Sequence, residues 1–335
     1  MKKKSLFLLI ILVALITMAC SCSLLNLPAF RNLERLRGSG TLVTEEREIG
    51  AVDEVQISGT GILHLKQGEN AELIIEAEDN LMDRINTSVV GDRLIIQTES
   101  DWFNLLFPTK EIHYYLTLPS IEELDAAGST TIEIESLNTD DLVISLSGSS
   151  HLQAVELETE NFNLSVSASA DVEIEQLKSK ELKASFSGSN TFTLGEVVAT
   201  DVEIIAGGSM NLSIDSLTAE DVQLNFSGSA DGSIDEFTAV ALDLKMDGSN
   251  RVKIESGSVE EQIIDINGSG TYLADDFKSE FAQIKIGGSS NIRLWVTEEL
   301  NITADGSTDV SYYGSPAVTQ FTSGSSDIIP LGEKE

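Results

Sequence analysis

The sequence is short of the residues that most often carry chemistry. Of its 335 residues only two are cysteines, Cys20 and Cys22, and both lie near the start. Disulfides therefore do not hold the body of the chain, and no thiol acts there. Histidine occurs three times, as His64, His113 and His151. No second His or Cys stands near any of them with zinc-ligand spacing, so surface or packing roles are expected and no metal site is assigned. No GxSxG, P-loop or HExxH segment is present. Positive charge is scarce as well: 21 Lys and Arg face 55 Asp and Glu, for a net charge of -34. Such a surface repels nucleic acid and anionic lipid, attracts cations and favours solubility. It does not imply disorder, because 41% of the residues are apolar and they alternate regularly.

A long hydrophobic run is missing too. The one apolar stretch, Leu6 to Met18, is shorter than the roughly 20 residues of a membrane span. Lys2, Lys3 and Lys4 precede it and small residues follow, which is the plan of a signal peptide over residues 1–19. Thr17-Met18-Ala19-Cys20 resembles a bacterial lipoprotein cleavage box, with Thr17 where Leu is usual. Cys20 is the expected lipidation site and Cys22 the fallback, giving an exported protein held at a membrane through a lipid anchor. Residues 20–44 are expected to be anchor and tether, with Arg31, Arg35 and Arg37 near lipid headgroups.

What is abundant is repetition. Glycine falls at Gly128, Gly148, Gly188, Gly208, Gly228, Gly248, Gly268 and Gly288, with Ala168 as a stand-in, a period of 20. Gly306 and Gly324 continue it with period 18. A serine follows each of these positions, Ser149, Ser189 and Ser229 among them. Four and two residues before the glycine stand apolar side chains such as Leu164 and Val166, or Leu224 and Phe226. Four and six after stand Phe192 and Leu194, or Val252 and Ile254. Even offsets mean strands with one buried face. The phase then slips to a column nine after, with Leu157, Leu177, Val197, Leu217, Phe237 and Phe277, which marks a corner.

One unit of 20 residues thus makes two or three short strands and their turns. It cannot bury its apolar face alone, but stacked units about 4.8 Å apart can. The expected fold is all-β: a single-stranded right-handed parallel β-helix, or solenoid. Propeller blades would need roughly 40 residues per repeat. At the corner, glycine faces inward or sits at the bend, and the flanking serines form outward ladders. Ala168 suggests that a positive φ is not needed at every level. Residues 45–120 break the rule and are expected to be a decorated first coil and cap, ahead of repeats over 121–325 and a tail over 326–335. Within the cap, Trp102 and Phe103 of "DWFNLLFP" form either a lid on the coil end or an exposed contact patch.

The stretch "VQISGTGILHLKQGENAELIIEAEDNLMDRINTSVVGDRLII", the later "LPSIEELDAAGST" and the SGS repeats resemble the bacterial family named putative auto-transporter adhesin head, or GIN, domain. The resemblance spans roughly residues 45–325. It implies an exported β-helical protein and brings no catalytic motif with it.

Carboxylates form two columns, one with Asp141, Glu181, Asp201, Asp221 and Glu261, the other with Glu175, Asp215, Asp235, Glu255 and Asp275. Stacked like charges repel unless screened or bridged, so these are either a solvated acidic face or a ladder for calcium. Arg251, Lys253 and Arg293 are spread over neighbouring coils, as candidates to meet an acidic sugar. No cofactor is implied. The expectation is a non-catalytic binding or adhesion module of the cell envelope, contacting carbohydrate or a cell-surface protein. The alternatives are a carbohydrate-active enzyme on the same fold, by analogy only, and a purely structural envelope protein.

Overall fold

The computed structural model describes residues 34–98 and 104–334. Cys20, Cys22, Trp102 and Phe103 lie outside them, so the anchor and the lid are not addressed by the structure.

The even-offset pattern becomes a parallel stack. In the coil over residues 181–200, Leu182, Ala184 and Phe186 are buried, then Asn190, Phe192 and Leu194, then Val197. Exposed corners separate the three inward runs, the first being Ser187-Gly188-Ser189. Strand β9 (Glu123–Lys178) pairs in parallel with β10 (Glu181–Val198), and β10 with β11 (Asp201–Thr218). β11 pairs in turn with β12 (Asp221–Tyr313). Each register is offset by 20, as in Leu182 opposite Phe162 and Val202 opposite Val222. Like side chains therefore stack into columns, and the result is a solenoid of about nine turns with about 20 residues each.

One expectation holds and one changes. The straight runs within a coil are short, and pairing in β12 continues through their corners over 93 residues. Every level repeats the same conformation, so the inter-coil ladder carries on through the corners. And Ala168 does keep a positive φ, +105°. The levels above and below impose the bend, and the alanine accepts a conformation that costs an L-residue about 1–2 kcal/mol. The glycines show why the corner resists a side chain: a Cβ on Gly208 would lie 2.3 Å from the carbonyl oxygen of Gly188 in the coil beneath. The glycine itself is exposed at the bend, not inward-facing.

The core adapts to local gaps. Gly257 takes the place of a large residue in the column that holds Phe237 and Phe277. The two rings stack through the space it leaves, with centroids 5.1 Å apart and planes at 4°. A side chain on Gly257 would meet the Phe237 carbonyl at 1.9 Å.

Below the repeats, β3 (Glu54–Gln67) pairs with β9, with Gly59 opposite Gly128. On its other side β3 meets β6 (Arg93–Thr98) along its first half and β8 (His113–Leu118) along its second. From there the direction reverses. β5 (Ile85–Val90) runs antiparallel to β6, and β4 (Glu72–Glu78) antiparallel to β8. β2 (Leu42–Arg47) adds antiparallel to β4, and β1 (Glu34–Arg37) pairs with β7 (Asn104–Phe107). The last part of the expected tether, from Glu34, is therefore strand. The short helix α1 (Asp79–Met82) buries Leu81 and Met82.

Two polar locks hold this end. Glu78 is 1% exposed and accepts hydrogen bonds from the backbone N–H groups of Gly40 (2.6 Å), Thr109 (2.8 Å) and Lys110 (3.4 Å) and from the Thr109 hydroxyl. Burial pushes its carboxyl up, but these donors outweigh burial and hold it below the usual range. Arg93 on β6 bridges three carboxylates on two neighbouring strands, β3 and β9: Glu54 at 2.8 Å, Glu123 at 2.9 Å and Asp125 at 3.0 Å.

The opposite end is open. β13 (Ala317–Gly332) stacks on the last turn of β12 with an offset of 18, so most of the expected tail is strand. Its side chains face solvent, and Phe321 is 71% exposed. Lys334 turns back along the wall, pairing with Asp276 at 2.6 Å and lying over the rings of Tyr313 and Trp295.

Candidate functional site

Beside the glycine column runs a polar groove. Its rim is the serine that follows each glycine, including Ser149, Ser189 and Ser229, all exposed. Its other side is the residue two further on: Thr131, His151, Asp171, Thr191, Asn211, Asp231, Arg251 and Thr271. Between them lies a floor of small or polar residues, with Met210 as its one large apolar member among the lining residues. The widest part, about 580 Å³, spans Ser189 to Thr271. A second part of about 390 Å³ continues it from Ser129 to Ser189, and the two share Ser189. From Ser129 to Ser269 the groove covers seven coil spacings, or about 34 Å at the usual strand separation.

The two serines of each SGS corner differ in what they do. The first ties coils together: Ser147 Oγ donates to the Ala126 carbonyl at 3.3 Å, and Ser227 Oγ to Ala206 at 3.3 Å. The second makes no such bond. Among the described residues, the hydroxyls of Ser149, Ser189 and Ser229 have no hydrogen-bond partner within the chain. Identical coils thus leave a row of free hydroxyls at one height on every level.

The floor holds groups that sequence reasoning passed over. Asn190 Oδ1 accepts from the Ala170 N–H at 3.1 Å, and Asn250 Oδ1 from the Ala230 N–H at 2.8 Å. Their amide groups donate to the carbonyls of Ser187 (3.2 Å) and Asp247 (3.0 Å). Each asparagine thus closes a gap in the ladder where the chain bends. The signal was present: a polar residue at an inward offset must be hydrogen-bonded.

The other expected residues scatter. Arg251 lines the groove, one coil from Asp231. Lys253 pairs instead with Glu255, and Arg293 with Asp275 at 2.8 Å. The two carboxylate columns lie at the other corners. Glu181 pairs with Lys183 at 2.5 Å, and Asp141 accepts from Asn161 at 2.6 Å. Among the described residues, no three His, Cys, Asp or Glu side chains gather as a metal set. His64 and His113, far apart in sequence, are in direct contact on the N-terminal coils, while His151 sits in the groove.

Fold and groove together define a parallel β-solenoid that offers one long, hydroxyl-rich face. The chain belongs to the family described as putative auto-transporter adhesin, head GIN domain, whose model matches residues 51–209 and 196–316. Among solved structures it is similar to a putative adhesin from Parabacteroides merdae, at 17% identity and a TM-score of 0.38, covering 89% of this chain and 99% of that one. A putative lipid binding protein from Parabacteroides distasonis matches at 19% identity and a TM-score of 0.36, covering 89% of this chain and 100% of that one. A putative adhesin from Bacteroides fragilis matches at 15% identity and 0.32, covering 88% and 100%. No curated protein matches the chain.

Proposed function

We propose that the chain is a non-catalytic binding module of the bacterial cell envelope, exported, lipid-anchored through Cys20, and engaging an extended glycan along the serine groove. The observation that carries this reading is the row of exposed, unbonded serine hydroxyls repeated at every coil. A chain of sugars offers hydroxyls at regular intervals, and each can exchange hydrogen bonds with a serine, threonine or asparagine at the matching level. Single contacts of this kind are weak in water, and repetition along one rigid face makes them additive in effect. The adhesin family supports a binding role. The lining is mostly polar, with Met210, Ala170 and Ala230 as apolar members of the floor, which suits carbohydrate better than the apolar centre of a protein interface. His151, Asp171, Asp231 and Arg251 make no ion pair among the described residues, so the groove presents separate contacts and no assembled acid–base set.

The test is a glycan array probed with the full chain, with and without a calcium chelator, and with the double variant Ser189→Val/Ser229→Val. Binding without cleavage, weakened about tenfold or more by the double variant, is the expected result. Loss with chelator would add the acidic columns as a cation-bridged part of the surface. Cleavage of the bound glycan would replace the binding module with an enzyme.

A further inference from the structure

His64 and His113 are 49 residues apart in sequence, yet their rings meet on the outer face of the N-terminal coils. His64 Nε2 and His113 Nδ1 are 2.9 Å apart. The parallel pairing of β3 with β8 brings them together, and Tyr115 stacks on the His64 ring with centroids 4.7 Å apart. Behind each ring stands a glutamate. His64 Nδ1 lies 2.8 Å from Glu133, its ladder neighbour on β9, and His113 Nε2 lies 3.9 Å from Glu111. Glu76 on β4 stands directly opposite His113 in the antiparallel register. Lys66, two residues along β3, is the positive charge on the same face.

A carboxylate behind an imidazole favours N–H on the nitrogen that faces it. Glu133, at 2.8 Å, thus leaves His64 Nε2 as an acceptor, while Glu111, at 3.9 Å, makes no hydrogen bond to His113. The 2.9 Å contact is then an N–H···N hydrogen bond from His113 Nδ1 to His64 Nε2. A metal ion that displaces this single proton would take one lone pair from each ring. Two imidazoles bound to one metal at about 2.0–2.1 Å place their nitrogens about 2.9–3.3 Å apart, depending on the bond angle. The nitrogens already lie within that range, and the rings, with centroids 5.2 Å apart and planes at 14°, need only turn to aim both lone pairs at one ion. The rings remain reachable, with side chains 29% and 23% exposed, and a cavity of about 450 Å³ lined by His64, Tyr115 and Glu133 lies alongside.

We propose that His64 and His113 form a two-imidazole site for a divalent transition-metal cation of the copper, nickel and zinc class. Glu133 acts as a positioning residue, and water or an incoming ligand group fills the remaining coordination positions. Imidazole suits these metals better than calcium or magnesium, and copper(II) is the strongest binder of the series. Two protein ligands leave the ion exchangeable and open to a third party.

The experiment titrates the full chain, prepared without a histidine tag, with copper(II) alone. Electron paramagnetic resonance and calorimetry are read together. One copper per chain, with coupling to two nitrogens, is expected. His64→Gln and His113→Gln each weaken binding at least tenfold and lose the two-nitrogen signature, while His151→Gln leaves both unchanged. Glu133→Gln weakens binding by about 10-fold or somewhat more, as for other groups that orient a ligating histidine. A readout on the native chain needs no variant: zinc shifts the imidazole NMR signals of His64 and His113 before that of His151. Copper affinity within twofold of native in both histidine variants, or zinc shifts confined to His151, overturns the proposal.

Discussion

The two ends of this solenoid are finished in opposite ways. At the N-terminal end the parallel stack meets strands β2, β4 and β5, which run against its direction, and unique polar contacts lock them in place. Glu78 collects backbone donors from two loops, and Arg93 ties three carboxylates. At the C-terminal end the last described coil, β13, has most of its side chains exposed. The coils in between rely chiefly on stacked columns and a shared ladder register. Repetition supplies stability in the middle of a solenoid, whereas an end needs something the repeat does not contain. The edge of this coil is polar only in part: Gln320 and Thr322 sit opposite Ile302 and Ala304, while Val318 and Ile328 sit opposite Leu300 and Val310.

The comparison can be broken most severely at Glu78. In Glu78→Gln, one carboxylate oxygen becomes an NH₂ that faces backbone donors, so the clip loses acceptors while its partners stay buried. A destabilisation of about 2 kcal/mol is expected in chemical denaturation. The same clip predicts a pH effect. The folded Glu78 carboxyl is held below its unfolded value, so its contribution is complete above the unfolded pKa of about 4.3. It fades as pH falls and is lost once pH passes below the lowered folded value. Stability measured through this acid range should fall less steeply in Glu78→Gln than in the native chain. A parallel slope in both would remove Glu78 from the account of the closed end.

A smaller effect sharpens the middle of the comparison. Among the described residues, Ala168 is the one corner that carries a methyl at positive φ. Ala168→Gly should relieve strain and stabilise the chain by about 1 kcal/mol, less the added freedom of glycine in the unfolded state. A raised denaturation midpoint with an unchanged m-value is the readout. The smallest effect belongs to the open end. Phe321 projects into solvent from the terminal coil, so Phe321→Ser should change stability by no more than about 0.5 kcal/mol. A loss of several times that would mean that the C-terminal end is covered in solution.

The repeat was legible in the sequence because it is local. Residues such as Leu182, Ala184, Phe186, Phe192 and Leu194 take their direction from strand geometry alone, and the period of 20 sets what lies above them. The second serine of each corner was legible as a candidate for the same reason. Its distinction from the first serine was not, because only the coil below reveals that Ser147 and Ser227 are already bonded. Ala168 misled for a related reason: its composition argued for a relaxed backbone, while its neighbours in the stack dictate the φ. What was not legible in the cap is the direction of its strands, since no repeat announces which of them reverse.

By itself, then, the sequence determined the coil: its length, its inward columns, its glycine corner and the serine row beside it. Those follow from short-range sterics and the alternation of side chains along a strand. Only the tertiary structure decided which groups meet across long chain separations. It brought Glu78 to Thr109, Arg93 to Glu123 and His64 to His113. Such contacts depend on how strands outside the repeat are paired and in which direction, and that is settled by the free energy of the whole packed cap, not by any local pattern along the chain.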